Sequence, residues 1–257
     1  MSKSSIFPDL DGQSVFITGG GAGIGAYLTE GFLQQGARVT FVGRNDATEF
    51  CNEMSDKYPQ NKPLFIQCDI TDTEDLRASI AEASQRHGAV RVLVNNAAND
   101  KRHSTEEVTP EFWDQMLAVN LKAYFFACQA VIAGMRENGG GAIVNFSSIS
   151  YMMGNSGYPA YTTSNAGITG MTRSLAREFG PDMIRVNALA PGWVLTQRQK
   201  DLWVTPEALE AHLERQCIKQ ALEPQDIVEA TLFLSSRASR MMTGQTIAVD
   251  GGVVVSG

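Results

Sequence analysis

Basic side chains are outnumbered here: 21 Lys and Arg face 28 Asp and Glu, a net charge of −7 over 257 residues. Nucleic acid and anionic membrane both demand a basic face, so neither is expected as a partner. Cysteine is sparse. Cys51, Cys68, Cys128 and Cys217 form no Cys-x-x-Cys pair, and no histidine stands at zinc spacing from any of them. That reads as free thiols, buried or half-buried, in a reducing compartment. Of the three histidines, His87 and His212 fall in helical surface patterns, which leaves His103 without partners for a metal site; no metal is expected. No apolar run approaches membrane-spanning length. The opening "MSKSSIFPDL" has no apolar core segment and no cleavage site, so a cytoplasmic protein without a signal peptide is expected. Pro/Ser-rich linkers, internal repeats and low-complexity tracts are also lacking, which favours a single domain over 1–257.

What the chain does have is alternation. "SVFIT" (14–18), "RVTFV" (38–42), "LFIQC" (64–68), "RVLVN" (91–95), "AIVNF" (142–146), "IRVNALA" (184–190) and "TIAVD" (246–250) are short β-branched runs. They are continuously apolar, as strands covered on both faces are. Helical patterns lie between them near 24–35, 47–57, 73–86, 110–136, 160–179 and 225–235. This predicts an α/β fold, a doubly wound Rossmann-type domain with a seven-stranded, mostly parallel sheet and helices on both faces. Residues 194–220 read as a helical insertion that covers a site as a lid. Ligands of such sheets bind at the carboxyl ends of the strands.

The first strand runs into "TGGGAGIGAYLTEGF". Gly19, Gly23 and Gly25 bracket a strand-to-helix turn, with Gly21 and Ile24 between them. A side chain there would block backbone approach to a pyrophosphate, and Gly25 lets the helix pack close to the sheet. The second strand ends at Gly43, followed by Arg44 rather than by the acidic residue that would meet a free ribose 2′-hydroxyl. An arginine binds a 2′-phosphate where a carboxylate repels it. NADP is therefore favoured, with NAD as the alternative. "DATE" (46–49) reads as a capping box of the next helix.

Three further residues stand out. Asn120 lies inside an apolar helical stretch, "MLAVNLKAYF", where asparagine competes with the backbone and needs a partner. Ser148 follows a strand end. Tyr161 starts a helical pattern thirteen residues after Ser148 and one turn before Asn165.

Taken in order, "TGGGAGIG" (18–25), "CDI" (68–70), "NNAA" (95–98), "VNLK" (119–122), "NFSSIS" (145–150), "YTTSN" (161–165) and "APGWVLT" (190–196) resemble the short-chain dehydrogenase/reductase family over essentially the whole chain. The resemblance implies roles. Tyr161 would be the acid/base, Ser148 would hold the reacting oxygen, and Asn120 would hold a water of a proton relay. Asp69 and Ile70 would meet the adenine, Asn95 and Ala97 the ribose, and Pro191, Gly192, Val194 and Thr196 the nicotinamide. It also implies a homotetramer paired through long helices and the segment "TIAVDGGVVV" (246–255).

Within the family, "NNAANDKRH" (95–103), "RQKDLWVTPEA" (198–208) and "RQCIK" (215–219) resemble bacterial aldose 1-dehydrogenases of the D-xylose type. That implies oxidation of a sugar at its anomeric hydroxyl to a lactone. Asn99, Arg102, His103, Ser150, Asn155, Trp193 and Gln197 would suit a polyol substrate, with Ser148 and Tyr161 at the reacting carbon. Two other readings stand beside this one. The first is a reductase of 3-oxoacyl carriers, for which "FGPDM" (179–183) offers no basic docking face. The second is a non-catalytic nucleotide-binding sensor.

The sensor reading draws on Asn165, which stands where the family pattern has lysine. That lysine would bond the nicotinamide ribose and lower the tyrosine pKa. Asparagine can attempt only the first task. A unit charge at about 4 Å contributes up to roughly 4 kcal/mol at an effective dielectric near 20, or about 3 pKa units. The expected result is an intact cofactor site with an impaired acid/base.

Overall fold

The computed structural model describes residues 5–202 and 204–255. Seven strands, β1 (Ser14–Thr18), β2 (Arg38–Gly43), β3 (Leu64–Gln67), β4 (Val92–Asn95), β5 (Gly141–Phe146), β6 (Ile184–Pro191) and β7 (Thr246–Val249), fall on the seven apolar runs. They form one sheet in the order β3-β2-β1-β4-β5-β6-β7, and every pairing is parallel. The order reverses between β1 and β4, which opens a crevice at their carboxyl ends. Thr18 pairs with both Val42 and Asn95, so the three central strands end level. The chain after each of them faces one crevice.

The helices are α1 (Gly23–Gln34), α2 (Thr48–Lys57), α3 (Thr73–His87), α4 (Pro110–Leu117), α5 (Ala123–Glu137), α6 (Ser150–Met153), α7 (Pro159–Phe179), α8 (Gln197–Leu202), α9 (Pro206–Arg215) and α10 (Pro224–Ser235). Two apolar layers sandwich the sheet, and strand alternation divides the side chains between them. Val15 and Ile17 pack with Leu28, Phe32, Val228 and Leu232 on the α1/α10 face. Phe16 packs with Leu76, Ile80, Val131 and Leu175 on the α3/α5/α7 face. Asp72, Thr109 and Thr205 cap α3, α4 and α9 by accepting from backbone N–H groups, each contributing about 1 kcal/mol. Ahead of α2, Asp46 accepts from the Thr48 N–H and hydroxyl. That is a local turn rather than the reciprocal capping box expected over 46–49.

The helix expected over 110–136 is two helices joined by a wider, π-type turn at Ala118–Lys122, where the Ala123 N–H reaches back to the Ala118 carbonyl. Taken together, Pro110–Glu137 is a 28-residue helical run, with a mean hydropathy of 1.5 in its most apolar stretch, long and apolar enough to cross a membrane. The sequence reading expected no such run. Its apolar side is a core face here, with Ala127, Cys128, Val131 and Met135 buried against the sheet. After β7 the strand does not continue through "GGVVV". Asp250 turns the chain by accepting from the Gly252 and Val254 N–H groups. The turn is tied to the 194–220 segment by Ile218 N–H on the Gly251 carbonyl.

Candidate active site

A cleft of about 1240 Å³ runs along the carboxyl ends of β1 to β6. One wall is the glycine turn after β1. Gly19 takes a positive φ of 69° and leads the chain close over Ala97. A Cβ on Gly25 would collide with the Gly19 carbonyl oxygen, so only glycine lets α1 start this near the strand. Thr18 Oγ1 accepts from the N–H groups of Asn96 and Ala97, at 3.0 and 3.1 Å, and stitches the turn to the chain after β4. Ala22, the residue before α1, provides no side-chain cap. The first N–H groups of the helix and its positive dipole end therefore face the cleft uncapped, which fits the pyrophosphate of a dinucleotide. Gly43, exposed Arg44, Asp69 and Ile70 continue this wall. The Asp69 carboxylate accepts from the Thr71 N–H and hydroxyl, and these bonds hold its pKa below the usual range, with Arg44 adding a smaller pull.

The opposite wall carries Ser148, Ser150, Tyr161 and Asn165. Ser148 Oγ accepts from the Ser150 N–H at 3.2 Å. Its own O–H is not engaged in that bond. The Ser150 hydroxyl is buried, 4% exposed as a residue, and has no hydrogen-bond partner among the described residues. Tyr161 is pushed up to about 12, first by desolvation and then by the Asp100 carboxylate; hydrogen bonding by Ser148 and Asn165 works the other way. Asn165 is 3% exposed, and its Nδ2 donates to the Tyr161 backbone carbonyl at 2.9 Å. The Ser147 hydroxyl donates to the Asn165 carbonyl and locks α7 to the end of β5.

Between the walls lies the chain after β4. Asn120, 2% exposed, clamps it: Oδ1 accepts from the Asn99 N–H at 2.7 Å, and Nδ2 donates to the Asn99 carbonyl at 3.0 Å. The partner that an asparagine inside an apolar helix requires is therefore backbone. Arg102 lies with its guanidinium 3.7 Å over the Tyr158 ring, and Tyr158 stacks on Tyr161 with centroids 5.5 Å apart. Asn155 donates to the Tyr158 hydroxyl. The 194–220 segment comes over the cleft through Val194, Thr196 and the cleft-facing side of α9, while Trp193 donates its indole N–H to Gln199.

Three expected site residues lie elsewhere. Asn95 is fully buried in the sheet and donates to Asn145 Oδ1 at 2.9 Å; it does not reach the cleft, whereas its neighbour Asn96 does. His103 faces away, with both ring nitrogens in hydrogen bonds to backbone. Gln197 is exposed and donates to Asp201 one turn on. The remaining expected residues line the cleft, Gly21, Gly23, Ile24, Pro191 and Gly192 included.

Several lining residues were missed from the sequence: Asp100, Tyr158, Gln199, His212 and Arg215. Tyr158 sits one helical turn before Tyr161, a spacing that could have signalled it. His212, expected on a solvated face, packs edge-on against Trp193 at 5.2 Å, and burial lowers its pKa. Cys217 is exposed, unlike the other three cysteines. Among the described residues no group of three His, Cys, Asp or Glu side chains converges as a metal site.

The comparisons agree with this geometry. Residues 19–254 match a family model described as enoyl-(acyl carrier protein) reductase, a short-chain dehydrogenase model. The chain is 50% identical over 252 residues to a probable galactose dehydrogenase of Rhizobium meliloti, covering 97% of this chain and 98% of that one. It is 44% identical over 250 residues to a D-xylose 1-dehydrogenase of Caulobacter vibrioides, covering 97% and 99%. The crystal structure of a putative gluconate dehydrogenase from Agrobacterium tumefaciens superposes with a TM-score of 0.89 at 29% identity, over 97% and 98% of the two chains. A parallel seven-stranded sheet, an uncapped glycine turn, a serine and tyrosine on one wall, and these relatives lead to one conclusion: the chain belongs to the short-chain dehydrogenase/reductase family.

Proposed function

We propose that this protein oxidises an aldose at its anomeric hydroxyl to a lactone, using NADP in preference to NAD, and that Asn165 slows the reaction. The observation that carries this reading is the serine–tyrosine wall. Ser148, Ser150 and Tyr161 present three hydroxyls to one cleft, opposite a turn suited to a dinucleotide. The sugar relatives support a polyol, as do Asn99, Asp100, Arg102 and Asn155 around the cleft and the flat face of Trp193.

The cofactor would lie along Gly19 to Gly25, with Asp69 and Ile70 at the adenine, Arg44 at a 2′-phosphate, Ala97, Tyr161 and Asn165 at the far ribose, and Pro191, Gly192, Val194 and Thr196 at the nicotinamide. When bound, a nicotinamide dinucleotide supplies the acceptor for the hydride leaving the anomeric carbon. The chain's own residues handle the proton. Tyr161, as phenolate, takes the proton of the anomeric hydroxyl. The Ser148 O–H, which otherwise serves Tyr161, donates to the same oxygen as the carbon–oxygen double bond forms. Asn120 holds the chain after β4 in place through Asn99; its side chain is committed there, so it is not assigned to the proton relay. The 194–220 segment acts as the lid.

The test is a screen of D-galactose, D-xylose and related aldoses with NAD and with NADP, on the chain as it stands and on Asn165→Lys. Lactone or aldonic acid should form with NADP preferred, and Arg44→Ala should weaken NADP binding about tenfold while leaving NAD unchanged. Activity confined to acyl thioesters would move the protein to another branch of the family.

A further inference from the structure

We propose that His103 is a positioning residue that sets Tyr161 by capping the catalytic helix from a different segment of the chain. The turnover arm of this proposal rests on the aldose reading above; the structural arm does not.

Helix α7 starts with a deficit. Tyr158, at its N-cap, provides no side-chain cap, and Pro159 has no N–H. The first backbone donor of the helix is therefore Ala160, a fully buried residue. A buried N–H without an acceptor is costly. His103 Nε2 lies 3.2 Å from that N–H and accepts it. Its Nδ1 lies 2.9 Å from the Lys101 carbonyl oxygen, which can only accept. Nδ1 thus carries the hydrogen and Nε2 the lone pair, the one tautomer that satisfies both contacts. The ring packs edge-on against Phe112, centroids 4.8 Å apart, and the His103 N–H donates to the Gly157 carbonyl at 2.8 Å.

Tyr161 is the next residue after Ala160. The loop over 98–103 is thus fixed at two points, at Asn99 by Asn120 and at His103 by the first turn of α7. Asp100 and Arg102, between those points, are held over the cleft. Loss of the cap frees the first turn of α7, and with it the Tyr161 ring. A misplacement of about 1 Å at a reacting group lowers the rate by up to ~10²-fold.

The experiment compares the unaltered chain with His103→Leu, which has no acceptor, and His103→Gln, whose amide oxygen falls where Nε2 stands. Two readouts are taken. One is amide hydrogen exchange in peptides covering 158–165. The other is aldose turnover, with cofactor binding measured separately, each also in an Asn165→Lys background. In His103→Leu, exchange should rise and kcat fall about tenfold, with a much smaller change in cofactor Kd; His103→Gln should restore both. Should the leucine variant not fold, His103→Asn takes its place, because its amide is too short to reach Ala160. Unchanged exchange in the leucine or asparagine variant would overturn the proposal. So would a glutamine variant as impaired as the leucine one, which would assign the effect to packing on Phe112. If no aldose is turned over by any of these proteins, the aldose reading fails by itself and the exchange arm still decides the role of His103.

Discussion

Asn165 and Tyr161 lie one turn apart on α7, and in the proposed reaction their pairing sets the chemistry of the cleft. Desolvation and the Asp100 carboxylate both oppose a phenolate at Tyr161, and the hydrogen bonds of Ser148 and Asn165 only partly offset them. A neutral amide cannot supply the Coulomb attraction that an ammonium would. Substituting lysine should therefore raise turnover at neutral pH by a factor on the order of 10² to 10³. The other residue of note is Ser150, whose buried hydroxyl has no partner among the described residues. Such a group costs stability unless a ligand satisfies it. Ser150→Ala should leave the melting temperature equal or higher while raising the sugar KM several-fold, about 1 kcal/mol of binding; calorimetry and steady-state kinetics read the two effects. A lower melting temperature with unchanged KM would make Ser150 structural. At this scale sequence reading was uneven. Ser148, Tyr161 and Asn165 were legible because their spacing is fixed by a strand end and a helix start. His103 was placed in the pocket because it is polar and near Arg102, but its direction depends on Phe112 and Ala160, contacts made only in the fold.

Among the elements, strands were the most legible. Buried parallel strands must be continuously apolar, and each of the seven runs became one, with ends within a residue. The break between α4 and α5 was not legible, because a change from i−4 to i−5 hydrogen bonding leaves no compositional trace. Its one sign was Asn120, out of place in an apolar helix. That asparagine now has a specific role, as a two-point clamp on Asn99. Asn120→Ala should cost about 1–2 kcal/mol in urea unfolding, since two hydrogen bonds are lost but Asn99 is exposed enough for water to replace them. Exchange in the 98–103 loop should rise at the same time. A loss above roughly 4 kcal/mol would instead mean that the wide turn itself collapses. The helical character of 194–220 was legible, and α8 and α9 fall within it, but not which side of α9 faces inward. Burial, not composition, turned His212 towards Trp193.

The whole molecule raises the question of assembly. Ile218 and Val255 are exposed large apolar side chains at 65% and 86%, on or near the C-terminal turn and the 194–220 segment bonded to it, and Met241, 82% exposed, adds a third ahead of β7. Exposed apolar surface of this kind marks an interface when it is contiguous. We expect a homotetramer in solution, and sedimentation at micromolar concentration should return about four times the 27.9 kDa chain mass; a monomer would refute this. The central claim, a sugar dehydrogenase with a complete cleft and a weakened base, meets its most direct test in the pH dependence of aldose oxidation. The phenolate is the form that takes the proton, so the rate must follow its fraction upward with pH. With Tyr161 pushed up to about 12, the rate of the chain as it stands should climb from pH 7 through about 11 without levelling. Asn165→Lys should level off two or three units lower, by the roughly 3-unit limit of one nearby charge. A profile already flat at neutral pH, unchanged by the lysine, would contradict the account, because Tyr161 would then be ionised by another route or not be the base at all.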